Sequence, residues 1–110
     1  MLFRSLKIQP SAAVVLLNQA VALHQAGRQD EAEAAYRKVL EQFPGNPKAP
    51  AAQLRKGEAE LATNQRDAGV RDLRSLVQRY PQTPEAAQAR SRLNGMGVRL
   101  TAAKPSAYKQ

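Results

Sequence analysis

Apolar residues recur along this chain at three- and four-residue intervals, in segments punctuated by Gly, Pro and Asn. From 11 to 26, Val14, Leu17 and Val21 form one stripe and Leu16, Ala20 and Leu23 its neighbour, which predicts a helix. Gly27 closes it, because glycine adopts the left-handed cap conformation without strain. A second helix is predicted to start at Asp30 as N-cap, with Glu33 three residues on in a capping-box arrangement. Its inward face is Ala32, Ala35, Tyr36, Val39, Leu40 and Phe43, and Pro44-Gly45 ends it. Asn46-Pro47 and Thr83-Pro84 each place a polar cap before a proline whose missing amide proton costs nothing at the first helical position. They predict helices over 47–63 and 84–94, with another over 67–80 whose inner residues are Val70, Leu73, Leu76, Val77 and Tyr80. Gly95-Met96-Gly97 breaks the last helix, and 95–110 reads as a basic, disordered tail. Leu2, Phe3, Leu6 and Ile8 read as the end of a preceding repeat helix over 1–10, so the chain is expected to begin inside a longer array.

These segments repeat. Gly27, Ala32, Tyr36 and Pro44 return as Asn64, Gly69, Leu73 and Pro81, each 37 residues later. A helical unit of this length cannot bury its apolar face alone and stacks on copies of itself. The expected fold is an all-α, right-handed helical solenoid. It comprises two antiparallel helix pairs, 11–46 and 47–83, and a capping helix over 84–94. Exposed repeat ends suggest self-association through Leu2, Phe3 and Leu6.

Leu16, Gln19, Ala20, Leu23, Gly27, Ala32, Tyr36 and Pro44 resemble the tetratricopeptide signature slot by slot. Small residues at Ala20 and Ala32 admit close helix approach, Leu16 and Leu23 fill the gap, and Tyr36 wedges against the following helix. The second unit matches through Gly57, Gly69, Leu73, Tyr80 and Pro81, but Gln53, Lys56 and Glu60 stand where apolar residues are usual. Two readings of that polar helix remain: it packs loosely in solvent, or Arg55, Lys56, Glu58 and Glu60 face an exposed groove. The stretches 42–50 and 79–87, with a final helix ending in Arg92-Leu93, resemble a narrower group. This is the C-terminal repeat domain of the Tol-Pal cell-division coordinators (CpoB, also YbgF). That resemblance implies a bacterial periplasmic module that binds TolA and coordinates envelope constriction at division.

In tetratricopeptide domains partners lie along the concave face built by the first helix of each unit. By that resemblance the partner-binding residues are Val14, Leu17, Asn18, Val21, His24 and Gln25, then Leu54, Arg55, Glu58 and Leu61. Leu17 and Val21 occupy positions that are Lys and Asn in carboxylate-clamp arrays, which argues against that mode of peptide recognition.

Charge adds less than its size suggests. The net charge is +8 with a pI near 10.5, yet 86–110 alone holds Arg90, Arg92, Arg99, Lys104 and Lys109 and no acidic residue. No aromatic residues interleave with these cations as a base-stacking surface requires, so nucleic acid is not an expected partner. The absence of cysteine excludes disulfides and thiolate metal sites. His24 is the sole histidine and has no nucleophile to serve, while Asp30, Glu31 and Glu33 are first-turn charges favourable to the helix dipole. No catalytic, cofactor or metal site is therefore expected. Arg4 and Lys7 before Ala12–Leu17, with Ala20-Val21-Ala22 after, imitate a signal peptide, but cleavage there would remove a helix the repeat needs. The resulting function is a non-catalytic protein-interaction scaffold, periplasmic if the Tol-Pal resemblance holds and cytoplasmic otherwise. The alternative is a targeting or interaction fragment of a larger enzyme, or of secretion or outer-membrane assembly machinery.

Overall fold

The computed structural model describes residues 11–98. Expectations for 1–10 and for most of the basic tail lie outside them, as does self-association through Leu2, Phe3 and Leu6. Five helices follow one another: α1 (Ser11–Gln25), α2 (Gln29–Gln42), α3 (Ala49–Ala62), α4 (Arg66–Arg79) and α5 (Pro84–Gly95). Each of α1 and α3 turns back on its successor through a three-residue link, α2 packs on α3, and α5 packs chiefly on α4. The fold is an all-α helical-repeat solenoid.

The tight links have a common cause. At the end of α1, Arg28 N donates to Leu23 O (2.9 Å) and Gly27 N to His24 O (3.0 Å), with Gly27 at φ 81°. This is a Schellman closure, which satisfies carbonyls the helix leaves orphaned. It recurs at α3, where Gln65 N meets Glu60 O (2.8 Å) and Asn64 takes φ 63°, a value asparagine tolerates better than most residues.

Three helix starts differ from expectation, that of α4 only by the step from Asp67 to Arg66. α2 begins at Gln29, so Asp30 lies inside the first turn rather than at the cap, and Arg28 precedes the helix without a side-chain cap. The Schellman closure already uses the Arg28 N–H and delivers the chain straight into α2, leaving no room for a capping box. Arg28 pairs instead with Glu31 (2.9 Å). α3 begins at Ala49, two residues after the expected Pro47. Asn46 Oδ1 does accept from Lys48 N (2.8 Å), but Pro50 has no N–H to return to Asn46, so regular helix is delayed by those two residues. Thr83 behaves as its sequence implies, its hydroxyl accepting from Ala86 N (3.1 Å) ahead of Pro84.

Two apolar clusters form the core. One gathers Ala13, Leu17, Ala20, Ala32, Tyr36 and Val39 with Ala49 and Ala52 from α3; the other gathers Leu54, Leu73, Leu76, Ala89 and Leu93. Tyr80 packs against both, and its hydroxyl donates to Pro44 O (2.9 Å), linking the ends of α4 and α2. The α3–α4 crossing is the tightest in the molecule among its glycines. A Cβ on Gly69 would sit 2.9 Å from Gly57 O and 2.8 Å from Leu61 Cγ, whereas one on Gly57 would meet mainly the Leu73 side chain, at 2.9 Å. Gly69→Ala is therefore expected to lose about 1–2 kcal/mol. Overpacking of about 1–3 kcal/mol outweighs a helix-propensity gain near 1 kcal/mol. Gly57→Ala should lose less, because a side chain yields where a backbone oxygen does not. Urea unfolding of the two variants checks the order.

Candidate functional site

The first helices present an uneven surface. Leu17 and Leu54 are each only 7% exposed, so these two expected groove residues belong to the core. Val14, Val21 and Leu61 are half-buried, Val21 against the first core cluster and Leu61 against the second. His24 is half-buried too, and its Nδ1 lies 2.7 Å from Gln29 Oε1. Gln29 Nε2 in turn donates to Glu33 Oε2 (2.9 Å), and Gln65 Nε2 reaches the same oxygen (3.3 Å). His24 therefore closes a polar chain that ties α1 to α2 and to the start of α4.

Asn18, Gln25 and Arg55 remain exposed. Glu58, one turn after Arg55, lies 3.7 Å from Arg92 of α5. Around this pair opens a shallow groove lined by Glu58, Ala87, Gln88, Ser91 and Arg92. The α5 residues were absent from the sequence-derived set, because that set assigned α5 to capping alone. Their exposure on the face next to Glu58 is what brings them in. Such a groove offers a guanidinium, a carboxylate and an amide to an extended or helical peptide.

The polar helix α3 divides between faces: Arg55 is exposed and Glu58 lines the groove, while Gln53, Lys56 and Glu60 turn inward. Gln53 is 3% exposed and Glu60 1%, and the Lys56 side chain 11%. Lys56 Nζ donates to Asp72 Oδ2 (2.6 Å) and to Glu60 Oε2 (2.8 Å), and Gln53 Nε2 approaches Asp72 Oδ1 (3.4 Å). These four residues take the places of Leu16, Gln19, Leu23 and Ala35 one repeat earlier, so buried polar and charged groups stand where three of the four positions were apolar. Asp72 was missed in the sequence. Its signal was available, since it stands at the repeat position of Ala35 and so faces the helix that carries Lys56.

Burial, then hydrogen bonding to Asp72, pushes the Glu60 carboxyl up to about 8, despite the opposing pull of Lys56. Burial also works to raise Asp72, but hydrogen bonds from Glu60 and Lys56 and the Lys56 charge leave it below its ordinary value. Burial works to lower Lys56, and its two carboxyl partners more than offset this. One carboxylate and one ammonium thus sit beside a neutral acid at neutral pH. The buried Oε1 of Gln53 has no hydrogen-bond partner. The layer is a packing element with a proton to lose.

Among the described residues no group of three or more His, Cys, Asp or Glu side chains is placed to hold a metal, and no helix is long and apolar enough to cross a membrane. Two family models, both described as tetratricopeptide repeat, match residues 2–47 and 51–83. The chain belongs to the tetratricopeptide-repeat family. The two matched stretches are separated by residues 48–50 at the start of α3, where the chain passes from one helix pair to the next. Tetratricopeptide repeats generally mediate protein–protein interaction. No curated protein and no solved structure matches it.

Proposed function

We propose that this tetratricopeptide-repeat chain is a non-catalytic scaffold that holds a protein segment against the face formed by Asn18, Gln25, Arg55 and Glu58 with Gln88, Ser91 and Arg92. The observation that carries the reading is the α3–α5 groove. The Arg92 guanidinium and the Gln88 amide are exposed, and the half-buried Glu58 carboxylate beside Arg92 keeps further acceptor capacity for a partner. Within that reading we place the chain in the bacterial envelope, as a periplasmic Tol-Pal module with TolA as partner. The support is the pair of aromatic-proline closures, Phe43-Pro44 and Tyr80-Pro81, and the final helix ending in Arg92-Leu93.

Titration calorimetry with the purified periplasmic part of TolA tests the specific assignment. Saturable binding is expected, with affinity reduced about tenfold or more in Arg55→Glu/Ser91→Glu, since one reversed and one added charge inside a polar contact leave partner groups unpaired. No heat of binding would remove TolA and leave the partner a different protein.

A further inference from the structure

The flank of α2 that faces α4 is covered at both ends. Glu33 receives the Gln65 amide, and Pro44 O receives the Tyr80 hydroxyl. One repeat later the same positions of α4 are Val70 and Pro81, and the flank between them carries Arg71, Arg74 and Gln78. No described element covers that flank. It borders an open cleft whose lining includes Arg66, Val70, Arg71, Arg74, Gln78 and Val98, with Asp67 its single acidic residue. Val70 and Val98 are half-buried and form the apolar floor, while the arginines are exposed along the rim.

The end of α5 points into this cleft. Val98 N donates to Leu93 O (2.9 Å) and Gly97 N to Asn94 O (3.0 Å), with Gly97 at φ 78°. This is the Schellman closure that ends α1 and α3, and in both of those cases a second helix starts two residues beyond the left-handed residue. The residues that follow Gly97 do not carry the pattern of a second helix. In this register the buried positions of Tyr36 and Leu73 correspond to Ser106, those of Val39 and Leu76 to Lys109, and Pro105 falls just before. Serine and lysine cannot supply the apolar contacts of that layer, and an interior proline removes a helical hydrogen bond.

We propose that the α4–α5 cleft is a docking site for an acidic amphipathic helix of a separate protein, lying where a further second helix of the array would lie. Its apolar side chains rest on Val70 and Val98, and its carboxylates meet Arg66 and Arg71. Helix-in-groove recognition with flanking charge pairs supplies both the apolar contact and the orientation. This surface is separate from the concave face and does not depend on it.

Titrating the isotope-labelled full chain with two synthetic amphipathic peptides of about 20 residues tests this by amide chemical shifts. Both peptides share one leucine stripe, flanked by glutamates in one and by lysines in the other. The glutamate peptide is expected to shift signals of 66–78 and 97–98 saturably. Arg66→Glu/Arg71→Glu should weaken it about tenfold or more, while Arg28→Glu leaves it unchanged. The exposed Arg71→Gln alone, a change that does not load the fold, should give a smaller loss in the same direction. Shifts confined to the α3–α5 face, binding unaffected by these variants, equal binding of the lysine peptide, or a concentration-dependent dimer that blocks the peptide would each overturn the proposal.

Discussion

Replacing Lys56 with methionine should cost about 3–5 kcal/mol at neutral pH, because it strands a buried carboxylate whose partner is gone. The side chain of Asp72 is 16% exposed and that of Glu60 1%, so water cannot take over the ammonium's role. A loss of that size is a large share of the whole stability of a small domain. The penalty should shrink as pH falls, since protonating Asp72 removes the uncompensated charge.

The wild-type protein carries its own pH dependence from the same layer. Glu60 has a folded pKa of about 8 against an ordinary 4.5, so the native state holds this proton more tightly than the unfolded state. That contribution is full below about pH 4.5 and is lost as pH rises toward about 8. Asp72 works in the opposite sense: its folded pKa is depressed, so its contribution is present above the ordinary value of 3.8 and is lost on acidification. Stability from this layer should therefore peak in mildly acid solution and decline toward pH 8. Glu60→Gln keeps a donor for Asp72 and an acceptor for Lys56 but has no proton to lose. It should flatten the decline and be the more stable protein at pH 8. Urea unfolding of wild type, Lys56→Met and Glu60→Gln across this range checks all three expectations. A wild-type curve that rises steadily with pH from 5 to 8 would refute the assignment of a neutral Glu60.

Tyr36→Ala should cost about 3–5 kcal/mol, the range for removing a large buried aromatic side chain. Tyr36 is 2% exposed and is the largest of the fully buried side chains. It lies in the cluster that joins α1 and α2 to Ala49 and Ala52 of α3, so its loss opens a void at the junction between helix pairs. Burial pushes its phenol pKa above the ordinary value; Arg55 opposes this and Glu58 adds to it, which places the ring close beneath the α3 surface that carries the proposed groove. Calorimetric melting of Tyr36→Ala and Tyr36→Leu separates size from shape. Leucine is the residue at the equivalent position, Leu73, and should recover much of the loss.

The helices were legible because period and punctuation agreed. Gly27 and Thr83 act locally, through backbone conformation and one side-chain hydrogen bond, so their neighbours in sequence suffice to read them. Asp30 and Asn46 misled for the opposite reason. Each has the chemistry of a cap, but the start of a helix also depends on what the preceding turn has already satisfied. At Arg28 the Schellman closure decides, and at Pro50 a missing N–H does.

The ionic layer was not legible from α3 alone, since Gln53, Lys56 and Glu60 look like a solvated face until Asp72 is set opposite them. Overlaying the repeats pairs them, because Gln53, Glu60 and Asp72 replace the apolar Leu16, Leu23 and Ala35 together, with Lys56 at the position of Gln19. The expected groove set was partly absorbed into the core for a related reason. Repeat register fixes which helix faces the partner but not how far a large apolar side chain turns inward, and Leu17 and Leu54 turn toward the neighbouring helices. The α5 contribution needed the three-dimensional proximity of Arg92 to Glu58.

The measurement that tests the central claim most directly is comparative affinity capture from separate periplasmic and cytosolic extracts of a Gram-negative cell, with bound proteins identified by mass spectrometry. The baits are the wild-type chain, Arg55→Glu/Ser91→Glu, and an Arg28→Glu control whose exposed change lies away from the groove. A partner retained by wild type and the control and lost from the groove variant is the predicted result. A partner set that is the same for all three, with every bait shown to be folded, would contradict a scaffold that works through this face.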